Sequence, residues 1–153
     1  MKKQLFFLLF ISFFSFNASS QSGNLLTDFI NKNDLILRSV HKQMYHDANS
    51  RDEASFKQLI TAQVAAIQLS STNPSKAAQY AYLVRTESMA FMKKHTKGNL
   101  DYYTITSEEI KTLELSKPDK LETDFLDKSL LNNIQSLKVT DMNVFNSFTT
   151  SIR

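Results

Sequence analysis

The chain has no cysteine and only two glycines and two prolines among 153 residues. Without cysteine there is no disulfide, no thiolate nucleophile, no Cys-ligated zinc, no covalent haem of the Cys-x-x-Cys-His type and no lipid on a processed N-terminal cysteine. Stability has to come from packing. Two glycines cannot build a phosphate-cradling Gly-rich loop or a Gly-x-Ser-x-Gly nucleophile elbow. So few turn formers also argue against a β-sandwich or barrel, leaving helices as the default. Neither Glu-x-x-His nor His-Glu-x-x-His occurs, which removes the di-iron carboxylate bundles and the common zinc proteases.

What is present begins with Met1-Lys2-Lys3-Gln4 and an apolar run from Leu5 to Phe16. A charged start, an apolar stretch and small residues at Ala18 and Ser20 form the pattern of a secretory leader cut between Ser20 and Gln21. The run covers twelve positions, short of the roughly 20 that a helix needs to cross a bilayer core, so no permanent membrane span is expected after processing. The division expected is 1–20 as signal peptide and 21–153 as a single helical domain. Charge changes with the cut: 18 basic residues face 15 acidic ones, and loss of Lys2 and Lys3 leaves 16 against 15. A nearly neutral mature chain with interspersed signs has no concentrated basic stripe for phosphates, so nucleic acid is excluded as a partner.

Helical periodicity is strong through most of the mature chain. Leu26, Phe29, Ile30, Asn33, Ile36, Leu37, Val40 and Met44 recur at three- and four-residue steps and predict a helix over 24–46. Ser50-Arg51-Asp52-Glu53 has capping-box spacing and opens a second helix with the stripe Phe56, Leu59, Ile60, Gln63, Val64 and Ile67. Asn73-Pro74 predicts a third helix to His95, since an N-cap is followed by proline where its missing N–H costs nothing. Its seam is Ala77, Ala81, Val84, Ser88, Phe91 and His95, with Arg85 and Glu87 solvated at the rim. On that seam, truncating Phe91 should cost about 3–5 kcal/mol. Gly98 suits a left-handed helix stop. Residues 99–105 lack helical period and read as an extended connection.

A capping box at Thr106-Ser107-Glu108-Glu109 predicts a short helix with Ile110, Leu113 and Leu115, and a fifth helix is expected over 118–137. Thr140-Asp141 would cap a last short one. The fold expected is all-α: an up-and-down bundle of about four main helices with two short additional helices and one extended connection at 99–105.

Few residues carry a candidate chemistry. Ser39 and Lys42 have Ser-x-x-Lys spacing, but the accompanying Ser-Asp-Asn and Lys-Thr-Gly segments are missing, so they read as a solvated helix face. His41 and His46 lie about 140° apart around a helix and cannot chelate one ion, so both read as surface residues and no metal is assigned. Lys93 and His95 lie in the last turn of the third helix, where the dipole favours cations, and Lys97 follows just after it. Tyr102 and Tyr103 follow in a segment whose alternate side chains point to opposite faces. Exposed aromatic and basic side chains together make recognition surfaces, so Lys93, His95, Lys97, Tyr102 and Tyr103 form the candidate partner contact.

With no catalytic motif and no cofactor motif, the expected function is that of an exported, non-enzymatic binding protein of the bacterial periplasm or cell surface. Its partner would be another protein or an envelope component. The alternative is a helical bundle that holds a small ligand or metal between its helices.

Overall fold

The computed structural model describes residues 2–47 and 50–138, with side chains over 23–45 and 52–138. The fold is an all-α bundle in which helices pack on one another, with no strand among the described residues. Three long helices form its body: α1 (Lys2–Asp47), α2 (Ser50–Leu69) and α3 (Pro74–His95). Two short ones follow, α4 (Ser107–Leu113) and α5 (Lys128–Ser136). The expected last helix after Thr140 lies outside the described residues.

Helix α1 ends where its periodicity does but starts far upstream of residue 24. No proline lies between Lys2 and Asp47, and a single glycine at position 23 is not enough to stop a helix. Its helical backbone therefore passes unbroken through the expected cleavage site at Ser20 and Gln21, whose side chains lie outside the described set. From Leu26 onward every apolar position expected to face inward is buried.

Contacts fix the directions of the three helices. His41 of α1 stacks on Phe56 of α2 at 5.6 Å, whereas Gln63, two turns further along α2, reaches back to Ile30 and Asp34, so the two helices are antiparallel. Helix α3 follows after a tight turn in which the Asn73 N–H donates to Leu69 O at 2.8 Å, and it runs parallel to α1. Asn73 caps it by accepting from the Lys76 amide, with Pro74 at the first helical position. Ala62, Ala65 and Ala66 of α2 and Ala77, Ala78 and Ala81 of α3 are all buried, and α2 and α3 share the most extensive contact between helices. Small side chains let these backbones approach closely.

Past Ser88 the inward seam of α3 moves to Met92, which is buried, while Phe91 is half-exposed. A four-residue step from Ser88 replaces the expected three-residue one, so truncating Phe91 removes a ring that stacks on His95 rather than a core side chain.

The helix expected over 118–137 is cut to nine residues, Lys128–Ser136. Residues 114–127 instead form a strap across α3, because side chains of α3 compete for groups that a helix would need. Tyr80 Oη accepts a hydrogen bond from the Glu122 amide at 3.0 Å, and Lys76 pairs with the Glu122 carboxylate. That pairing raises the Lys76 ammonium and lowers the Glu122 carboxyl from their ordinary pKa values. Asp127 then starts α5 by accepting from the Ser129 and Leu130 amides at 2.7 and 3.3 Å. Helix α5 packs on α2 through Ile134, and the Lys57 ammonium donates to Gln135 O at 2.6 Å.

Those two amides hold the Asp127 carboxyl below its ordinary pKa. A carboxyl depressed by folding stabilises at pH above its unfolded value, about 4, and the contribution is lost as pH falls through the folded value. NMR backbone shifts of 128–136 should therefore stay helical at neutral pH and move toward coil in acid. Asp127→Asn, which still caps, should remove most of that acid dependence.

Candidate functional site

The candidate contact residues lie in the last turn of α3 and in the chain that leaves it. Helix α3 stops because Thr96 is extended (φ −136°, ψ 147°) while its N–H still donates to Met92 O. Gly98 does not take the left-handed stop position; it has no positive φ, and its amide donates to Thr96 Oγ1 at 3.1 Å. Lys93, Lys94 and Lys97 are exposed. His95 is half-buried, its ring stacked on Phe91 with centroids 4.3 Å apart.

Residues 99–105 are less extended than expected. Asn99 Oδ1 accepts from the Asp101 amide at 2.6 Å, and a 3₁₀ turn follows over Asp101–Tyr103. The opposed directions expected for the two tyrosines are nevertheless found. Tyr103 is 6% exposed and packs into the core, whereas Tyr102 is 46% exposed. Their rings meet edge to face at 6.0 Å, and the Lys32 ammonium of α1 lies 4.9 Å from the centre of the Tyr102 ring. Tyr103 therefore leaves the contact set, because a buried ring cannot meet a partner. Its role is to hold Tyr102 in place.

Between α1, α2 and α3 lies a polar layer that the apolar stripes only hinted at. Asn33 and Gln63 are members of those stripes and are buried. Gln63 Nε2 donates to Ile30 O at 2.9 Å and to Asp34 Oδ1 at 2.8 Å, and Asn33 Nδ2 donates to Ala81 O at 2.9 Å. Arg85 is the main correction: expected at the solvated rim, it is 0% exposed. Arg85 Nε donates to Asn33 Oδ1 at 2.7 Å and Nη2 to Phe29 O at 3.3 Å, with its guanidinium carbon 4.1 Å from the centre of the Phe29 ring. Burial lowers the pKa of Arg85, opposed by the negative charge of Glu109. A charge held by neutral oxygens and a ring joins α3 to α1 at one register, while Arg85 Nη1 is buried without a hydrogen-bond partner among the described residues. Ser88 Oγ, one turn on, is buried without a hydrogen-bond partner among the described residues.

His41 is also buried rather than on the surface, stacked on Phe56. The Ser39 hydroxyl donates to Leu35 O within its own helix, at 3.3 Å. Among the described residues no group of three or more metal-ligating side chains comes together.

The base of the bundle carries a feature with no forewarning in the sequence. A cavity of about 430 Å³ lies beside the Gly23–Leu26 turn of α1, between Gly23, Leu26, Ser70, Ser75, Thr112 and Glu114. Glu114, just past α4, has φ 51° and ψ 45°, the one non-glycine residue with a positive φ among those described. The cavity's walls come from four separate stretches of chain, so no local motif marks it.

Among the described residues no helix is long and apolar enough to cross a membrane. No protein-family model, no curated protein and no solved structure matches the chain.

Proposed function

We propose that the chain is an exported, non-enzymatic binding protein of the bacterial periplasm or cell surface. Its contact surface is the end of α3 with the turn beyond it: Lys93, Lys97 and Tyr102, with His95 behind them. The observation that carries this reading is Tyr102, an aromatic ring half in solvent yet braced from two sides, by the edge of buried Tyr103 and by the Lys32 ammonium. A ring held rigid before it meets a partner loses little conformational freedom on binding, which is the property of interface anchors. Lys32 beside it and the exposed lysines earlier in the same stretch of chain favour a partner surface with acidic groups. The alternative of a ligand between the main helices is less well supported, because the buried Arg85, Asn33 and Gln63 there are bonded to the neighbouring helices.

The test is a paired substitution. Lys97→Ala with Tyr102→Ala should leave the thermal midpoint within a few degrees of the parent, since both side chains are exposed. The same pair should remove whichever protein cross-links to this surface in cells expressing the parent. Unchanged cross-linking would reject the surface. Tyr103→Ala, by contrast, should destabilise the fold.

A further inference from the structure

Arg85 carries its charge at 0% exposure, and no ion pair reaches it among the described residues. A buried charge is costly unless it is both hydrogen-bonded and paired. The first condition is met in part: Nε donates to Asn33 Oδ1 and Nη2 to Phe29 O, while Nη1 is buried with no partner among the described residues. The second is not met, because both acceptors are neutral. Glu109 is the carboxylate whose charge acts on Arg85 most, and it does so from a distance. Its own oxygen is engaged with the Thr106 amide at 2.7 Å.

The direction of the side chain fixes where a further ligand would lie. Asn33 donates to Ala81 O, and Phe29 lies one turn nearer the start of α1 than Asn33. A guanidinium that bonds both therefore reaches toward the start of α3, the usual direction for a long side chain on a helix, and away from Ser88. Nη1 and the adjacent Nη2 form the far edge of the guanidinium, a fork of donors built to hold an anion.

Charge and size then select the ligand. Water would accept from the fork but leave the charge unbalanced. A phosphate dianion would bring charge in excess, with no second cation paired to Arg85. An organic acid would bring a carbon body, and α1 and α3 would have to part to admit it at a residue with no exposure. A monatomic halide carries one negative charge in a volume close to that of water. We propose that the buried Arg85 guanidinium binds a chloride ion on its Nη1–Nη2 edge, as a structural ion that fixes the register of α3 on α1.

The experiment titrates the purified full chain with sodium chloride against sodium gluconate at constant ionic strength. Gluconate carries the same charge on a body too large for the buried edge. The Arg85 guanidinium N–H signals in NMR should shift with chloride along a saturating curve and stay in place in gluconate. The thermal midpoint should follow, because a ligand that binds only the folded state stabilises it by mass action. Asn33→Leu with Arg85→Met has no guanidinium and reports the general effect of exchanging the two salts. At about ten times the dissociation constant, the parent should gain about 3–5 °C over that double variant. Arg85 signals that drift linearly, or move equally in the two salts, would overturn the proposal. So would an equal chloride gain in parent and double variant, which would place the ion elsewhere. The NMR titration needs no substitution and decides alone if the double variant does not fold.

Discussion

Replacing Asn33 with alanine should lower the thermal midpoint by about 10 °C, the largest effect expected of any polar substitution in this chain. The side chain is wholly buried and serves two partners: its oxygen accepts from Arg85 Nε at 2.7 Å and its nitrogen donates to Ala81 O at 2.9 Å. Alanine leaves the guanidinium buried with only Phe29 O and the Phe29 ring to hold it. Hydrogen bonds to charged groups contribute about 1.5–3 kcal/mol, and an unsatisfied buried partner adds to the loss, so about 3 kcal/mol is expected.

The diagnostic comparison is the double variant Asn33→Leu with Arg85→Met. Buried ionic groups exchanged together for apolar ones of similar size are often tolerated or stabilising. The double variant should therefore melt within a few degrees of the parent, although the single change is severe. If the two changes add instead, the layer is not one coupled unit, and the buried guanidinium costs the fold little.

Tyr80→Ala should be as damaging for a different reason. Tyr80 is 0% exposed on α3, and its hydroxyl holds the strap through the Glu122 amide. Loss of a buried aromatic ring costs about 3–5 kcal/mol, or about 10–15 °C here. Tyr80→Phe keeps the ring and loses only the hydrogen bond, about 1 kcal/mol. Calorimetry of the two variants separates ring from hydroxyl. A Tyr80→Ala protein melting within two degrees of the parent would show that the strap and the ring beneath it are not part of the cooperative core.

How far the sequence led to these sites depended on whether the deciding partner was near in the chain. The start of helix α3 and its inward face up to Ser88 were legible because Asn73-Pro74 and the three- and four-residue steps are local signals. The inward face of α1 was legible for the same reason, with Asn33 already on it. Arg85 was not: a charged residue beside Val84 reads as rim, and only partners on α1, Asn33 and Phe29 at 52 and 56 positions away, make its burial tolerable. Residues 118–127 misled in the opposite direction. Leu121, Phe125 and Leu126 have helical spacing, yet Tyr80 and Lys76 capture Glu122, and Phe125 ends up 43% exposed. At the candidate contact, the opposed directions of Tyr102 and Tyr103 were legible, but which one faced outward was decided by the core beneath them.

The two ends of the chain differ in how they reach the core, and that sets an order of assembly. Helices α2 and α3 meet across a turn of four residues, so their contact closes early and at little entropic cost. Helix α1 reaches α2 through partners 15 to 33 positions away and α3 through partners 48 to 56 positions away, whereas α5 reaches α2 through one 78 positions away. Loop closure thus favours pairing of α2 with its sequence neighbours α1 and α3 first, the α1–α3 contact through the guanidinium next, and the strap with α5 last. Helix α1 therefore meets α2 before Asn33 meets Arg85, so the buried polar layer is completed only once α3 has docked.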